Sequence, residues 1–278
     1  MIFYLTGSNF NNLKNLIKKI FISVKKDDLI SSANDMTYKL FFSVFPFSIF
    51  LMSVAGFLNL DINPDIISEQ ISEILPGSLT SPVTDFITEI SRVRNANILS
   101  FSLVVSVWGA SSGFRTAMRS INKAYGQKDA RKIYIKIPVS VALVLIFTVI
   151  IIISFVLVIF GNNIFDLIWG AHKLKYKFLF DIIRYSAGII ITFVSVILIN
   201  KLALYKNKKT GLKRLVPGTL LTVFLWLVIS RFFNIYIDNF SNYSALYGSI
   251  AAIIILMLWL NIMCVVLLLG SEINAALE

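Results

Sequence analysis

The chain is poor in the residues from which most catalytic and metal centres are built. Its 278 residues include one cysteine, Cys264, and one histidine, His172. A disulfide within the chain needs two cysteines, and a Cys/His metal site needs several ligands, so neither can be assembled and no cofactor is implied. Cys264 sits in an apolar run and reads as a small apolar filler. His172 reads as a polar residue of a loop. Charge is scarce as well: only 15% of residues are Asp, Glu, Lys or Arg, and these are bunched between long apolar stretches. A water-soluble domain of this size needs a far more polar surface. There is no Ser/His/Asp set and no phosphate-cradling P-loop. Nor is there an early apolar run of the kind that makes a cleavable secretory signal, since the first one begins near Leu40. That run is therefore expected to act as an uncleaved anchor.

Hydrophobic residues make up 57% of the chain and fall into six stretches nearly free of charge. Crossing a hydrocarbon core takes about 20 helical residues. The stretches predict spans at about residues 40–60, 97–116, 138–160, 184–202, 215–234 and 246–270. The fold class expected is all-α: a polytopic integral membrane protein, with residues 1–278 forming a single six-span bundle. Residues 1–34 form a cytoplasmic amphipathic segment. Within it, Leu13, Leu16, Ile17, Ile20, Phe21 and Val24 make one helical stripe, with Lys14, Lys18, Lys19, Lys25 and Lys26 mostly off it. Such a helix suits either the plane of a membrane surface or docking on the protein itself.

Loop charges give the orientation. Segments 1–34, 115–136 and 201–214 carry 18 of the 26 Lys and Arg residues, which places them and both termini in the cytoplasm. Segment 61–94 instead holds Asp61, Asp65, Glu69, Glu73, Asp85 and Glu89 against Arg92 and Arg94, and is expected outside as short amphipathic helices on the outer surface. Loop 166–184 dissents, with Lys173, Lys175, Lys177 and Arg184, and is outvoted. The net charge of +11 follows from this layout. The cations flank apolar spans and are not interleaved with aromatics, so the expected partners are membrane lipids, anionic on the cytoplasmic face, and not nucleic acid. The localisation expected is the bacterial plasma membrane. Oligomeric state is not legible.

The ionisable residues at span edges are the candidate functional positions. Asp35 and Lys39 share a helix face at the cytoplasmic start of the first span, Arg115 and Arg119 share one at the end of the second, and Glu272 closes the sixth. Topology brings these five to one membrane level. A charge costs roughly 2.5–3.5 kcal/mol at the bilayer centre, so they either snorkel as anchors or line a polar cytoplasmic vestibule. On the outer side Arg231, Asn234 and Asp238 lie on one face after the fifth span. Asn261 is placed to hydrogen-bond a neighbouring helix. Gly109, Ser111, Ser112 and Gly113 offer close helix contact, and Pro46 a kink or a freed carbonyl at Phe42.

Four runs carry a family resemblance. They are Ala33-Asn34-Asp35-Met36-Thr37-Tyr38 leading into Ser43-Val44-Phe45-Pro46; Val107 to Arg115 continuing through Met118-Arg119 and Asn122-Lys123-Ala124-Tyr125-Gly126; Val216-Pro217-Gly218-Thr219 with Trp226; and Tyr236 to Phe240, Tyr243, Tyr247-Gly248-Ser249, Trp259 and Leu269 to Asn274. In order and spacing the chain resembles the YihY/virulence factor BrkB family, long labelled ribonuclease BN, over residues 25–278. It departs from that pattern at Asp35 and Lys39, where the family is usually uncharged. The resemblance implies a six-span plasma-membrane protein of poorly defined role and brings no catalytic residues. Transport or translocation of a lipid-like or anionic amphiphilic substrate is the favoured expectation, and a non-transporting scaffold or envelope-integrity factor is the alternative. Ribonuclease activity is not expected, because RNA hydrolysis needs clustered carboxylates or acid–base groups and the cytoplasmic loops offer little besides Asp129.

Overall fold

A computed structural model describes residues 8–57, 96–159, 173–205, 211–239 and 249–278. Among these residues the chain is helical throughout, without strands. The helices are α1 (Ser8–Lys26), α2 (Leu29–Phe57), α3 (Ala96–Ala124), α4 (Ile133–Ile159), α5 (Lys173–Ala203), α6 (Leu212–Asn239) and α7 (Ser249–Ala276). Five of them are long and apolar enough to cross a membrane, through Asn97–Ala124, Ile133–Ile150, Ile182–Ala203, Leu212–Phe233 and Ile253–Ala276. In α2, residues 40–57 carry no charge. Large apolar side chains such as Phe42, Phe101, Trp108, Phe178 and Phe232 point outward from the bundle. In water this surface would be a liability, whereas against lipid chains it is solvated.

Helices α2 to α7 pack in chain order around a ring that closes where α7 meets α2, and α3 also touches α5 and α7 across the middle. The closest seams use small residues. A Cβ added to Gly109 would lie 3.1 Å from the Ser43 Cβ, and one on Gly113 would press on the Leu40 side chain at 2.9 Å. Small residues one turn apart therefore let α2 and α3 approach to backbone contact, as expected from the Gly109–Gly113 stretch. α6 and α7 cross still more closely at Gly218 and Gly270, where a Cβ on either glycine would collide with the opposite backbone or with Thr222. α2 runs unbroken through Pro46, and an apolar cleft of about 280 Å³ opens beside it, lined by Ile49 and by Asn97, Ile98, Phe101 and Ser102 of α3.

The buried core gathers at one end of the ring. Leu29, Ala33 and Met36 of α2 meet Phe114, Ala117, Met118 and Ile121 of α3, Val196 and Ile199 of α5, Leu215 of α6 and Leu268 of α7. This is the end that bears most of the lysines and arginines, and we call it the cationic end. α1 lies there too. It joins α2 through a tight turn in which Asp28 takes a left-handed backbone (φ 53°), a conformation that Asp tolerates better than most residues. Lys19 of α1 donates to the Ala276 carbonyl at 2.8 Å, and Val24 packs on the core, while Phe21 and Ile22 remain exposed.

Two boundaries differ from those read in the sequence. α5 begins at Lys173, so Lys173, Lys175, Lys177 and Arg184 belong to a helix and not to a loop. α3 extends to Ala124 and α4 starts at Ile133, which shortens the basic 115–136 connection to eight residues. Both extensions add charged turns to an apolar span, and hydropathy alone registers only the apolar part. The expected helices within 61–94 lie outside the described residues.

Candidate functional site

The five ionisable residues expected at one level divide among three seams of the cationic end. Asp35 and Lys39, one turn apart on α2, form a salt bridge at 2.6 Å. Thr116 of α3 completes the group. Its hydroxyl donates to the same Asp35 oxygen at 2.7 Å and accepts from the Lys39 ammonium at 2.9 Å. Partial burial opposes ionisation of Asp35. The hydrogen bonds from Lys39 and Thr116 and the charges of Lys39 and Arg119 outweigh it, holding the carboxyl below its ordinary value. Arg119 thus acts on this group electrostatically while its own side chain is exposed.

Arg115 turns the other way. Adjacent helical residues point about 100° apart, so Arg115 faces α4 while Thr116 faces α2. The guanidinium donates to Ser111 Oγ at 2.7 Å and to Ser140 Oγ of α4 at 3.4 Å, and stands 5.6 Å from the centre of the exposed Trp108 ring. Both serine hydroxyls spend their own protons on carbonyls of the preceding turn, Trp108 and Ile137. Among the described residues no carboxylate pairs with it. From 96 to 159 the only acidic residue is Asp129, which is bridged at 3.7 Å by Arg131 and by Lys136.

Glu272 occupies the third seam. It is 2% exposed, and its Oε2 has no hydrogen-bond partner. The charged groups within electrostatic reach are Asp27, buried in the α1–α2 turn, and Lys123 of α3. The Lys123 ammonium donates to the Asp27 main-chain carbonyl at 2.6 Å.

Three buried asparagines tie these seams together, and none stood out in the sequence as a site residue. Asn122 donates to the Met118 and Ala203 carbonyls at 2.6 and 2.8 Å and accepts from the Tyr205 N–H at 2.8 Å, so it caps the end of α5. Arg131 donates to the Ala203 and Leu204 carbonyls beside it, where a cation complements the helix C-terminus. Asn200 of α5 accepts from Ser271 of α7 at 2.7 Å. Asn274 of α7 accepts from the Gly218 N–H at 2.7 Å, next to Pro217 in α6. Asp27 and Thr116 were also missed. An Asn or Glu inside an otherwise apolar helix was the available signal, and Asn122, Asn200 and Glu272 all carry it. Asn261 does bond a neighbouring helix, donating to Asn34 at 2.8 Å and Thr37 at 3.2 Å on α2. Of the outer group, Arg231 is exposed on α6, and the side chains of Asn234 and Asp238 lie outside the described residues. No group of three or more His, Cys, Asp or Glu is gathered among the described residues.

Residues 20–278 match the family described as Virulence factor BrkB. The chain is 31% identical over 275 residues to the ribonuclease-like protein YfkH of Bacillus subtilis (strain 168), covering 94% of each. It is 23% identical over 274 residues to a UPF0761 membrane protein of Pseudoalteromonas atlantica, covering 95% of this chain and 86% of that one. A 75-residue stretch is 33% identical to the UPF0761 membrane protein PSHAa0171 of Pseudoalteromonas translucida, covering 27% and 25%. No solved structure matches.

Proposed function

The chain belongs to the virulence factor BrkB family of membrane proteins, and from that premise we propose that it translocates a lipid-like or anionic amphiphilic substrate across the bacterial plasma membrane. In this reading α2 to α7 are six spans forming one domain, the cationic end faces the cytoplasm, and both termini lie there. α1 rests at that surface with Phe21 and Ile22 turned toward anionic lipid.

One observation carries the substrate class. Arg115 is a guanidinium within an apolar candidate span, bonded to two hydroxyls and an aromatic face and to no carboxylate. A cation at such depth is held by an anion or by a wet cavity. No carboxylate of the described residues pairs with Arg115, and a planar guanidinium matches a phosphate or carboxylate headgroup. The Trp108 ring and the apolar surface around it accommodate acyl chains.

The Asp35–Lys39–Thr116 group favours the scaffold reading for that seam alone, because its charges neutralise one another. Asp129, the carboxylate of the α3–α4 connection, is enclosed by Arg131 and Lys136 as an internal partner.

The test is reconstitution in liposomes with fluorescent-lipid scrambling and anionic-solute flux as readouts, comparing wild type with Arg115→Ala. Translocation predicts flux above protein-free vesicles in the wild type and its loss in the variant. Background flux in both would leave the scaffold reading standing.

A further inference from the structure

We infer that Glu272, set against Asp27 and Lys123 at the cationic end, is a proton-binding site that exchanges with the cytoplasm and couples the translocation cycle to the proton gradient. The coupling role rests on the translocation reading above, whereas the proton site itself does not.

The argument is one of charge and burial. Glu272 is deeply buried, and Asp27 is buried as well, though less completely. A buried carboxylate is tolerated when its oxygens accept hydrogen bonds or when a cation lies against them. Glu272 Oε2 accepts none. Among the described residues Lys123 is the one cation acting on Glu272, and its ammonium donates to the Asp27 main-chain carbonyl and not to a carboxylate oxygen. Two buried carboxylates therefore share one ammonium, which leaves one negative charge in excess. Of the other charged groups of this end, Arg214 of α6 pairs with Glu278 at 3.1 Å and Lys19 of α1 bonds the Ala276 carbonyl. One proton taken from bulk water by a Glu272 oxygen cancels the excess and forms a single O–H bond. Its release to water restores the carboxylate.

The surroundings connect this event to the helices that would have to move. Glu272 follows Ser271, which bonds Asn200 of α5, and precedes Asn274, which bonds the Gly218 N–H of α6. Asn274 Nδ2 and Thr219 Oγ1 are also buried without partners. The turn of α7 that changes charge is thus the turn that fastens α5 and α6. A change there biases the α6–α7 crossing, where Gly218 and Gly270 leave no slack.

The experiment uses the full chain in nanodiscs of phosphatidylethanolamine and phosphatidylglycerol. Infrared difference spectra are recorded as the pH is stepped from mildly acid to mildly alkaline. The expected result is a carboxylic-acid C=O band that falls as a carboxylate band rises, absent in Glu272→Gln and displaced in Glu272→Asp. Identical spectra for wild type and Glu272→Gln overturn the proton site. Glutamine mimics the protonated acid, so the variant should remain monodisperse at neutral pH. Unfolding of Glu272→Gln with Glu272→Asp intact would instead mark a permanent ion pair with Lys123 and overturn the inference. In liposomes, wild-type flux should respond to an imposed pH gradient and Glu272→Gln flux should not. Flux indifferent to that gradient removes the coupling role. No flux at all, with the band present, removes translocation and leaves the proton site.

Discussion

Replacing Asn122 with alanine should be among the most damaging single changes that leave the charges of the protein intact. The side chain is fully buried and makes three hydrogen bonds, two donated to the Met118 and Ala203 carbonyls and one accepted from the Tyr205 N–H. The Met118 carbonyl belongs to the helix that carries Asn122, and the Ala203 carbonyl keeps a bond from Arg131, so those acceptors are not orphaned. The Tyr205 N–H loses this acceptor. Each lost bond is worth about 0.5–1.5 kcal/mol, so the three together give a destabilisation of about 1.5–4.5 kcal/mol. For a chain of this length that corresponds to a fall in Tm of about 3–18 °C. The assay is thermal unfolding of the detergent-solubilised full chain, followed by tryptophan fluorescence and by retention of the monodisperse peak. A second arm tests the route. Arg131→Ala acts on the same Ala203 carbonyl, so the double variant should depart from additivity by at least about 0.5 kcal/mol. An Asn122→Ala protein within about 0.5 kcal/mol of wild type would refute the claim that this residue fastens α3 to α5.

Further outcomes follow from other seams. Gly270→Ala places a methyl group against Thr222 and the Gly218 carbonyl, so it should cost about 1–3 kcal/mol or more and lower the yield of monodisperse protein, with Gly188→Ala as the open-space control. At Asp28, with its left-handed backbone, glycine should be neutral or stabilising and valine destabilising by about 1–2 kcal/mol, read as shifts in the same unfolding curve. The Asp35–Lys39 pair has a carboxyl held below its ordinary value, so its stabilising contribution is present above the unfolded carboxyl's pKa, about 3.9, and is lost as pH falls through the lower folded value. A double-mutant cycle of Asp35→Asn with Lys39→Met should therefore show coupling at neutral pH that vanishes in strong acid. Coupling that persists there would show that the contact is not ionic.

The candidate spans were legible because each is built on a long apolar run nearly free of charge, and that signal needs no partner. The Gly109–Gly113 contact was legible for a similar reason, since small residues have few other uses in a lipid-facing helix. What escaped depended on direction and on distance along the chain. Arg115 and Thr116 are neighbours in sequence, yet one faces α4 and the other α2, so the level shared by the ionisable residues did not become a shared site. Thr116 meets Asp35 across 81 positions, and Glu272 meets Asp27 across most of the chain. No periodicity encodes such pairings. The early start of α5 escaped because Lys173, Lys175 and Lys177 are compatible with a helix although they depress hydropathy.

The fastening at the cationic end also fixes an order of assembly. When α3 enters the bilayer, the carbonyl that Asn122 will hold lies 81 residues further along, not yet synthesised. Asn200 waits 71 residues for Ser271, and the Gly218 N–H waits 56 for Asn274. Until its partner arrives, with α5 for Asn122 and with α7 for the other two, each of these polar groups must stay hydrated at the membrane surface or be sheltered by the insertion machinery. The nascent protein is therefore held open at its basic face, and the last helix to arrive closes it.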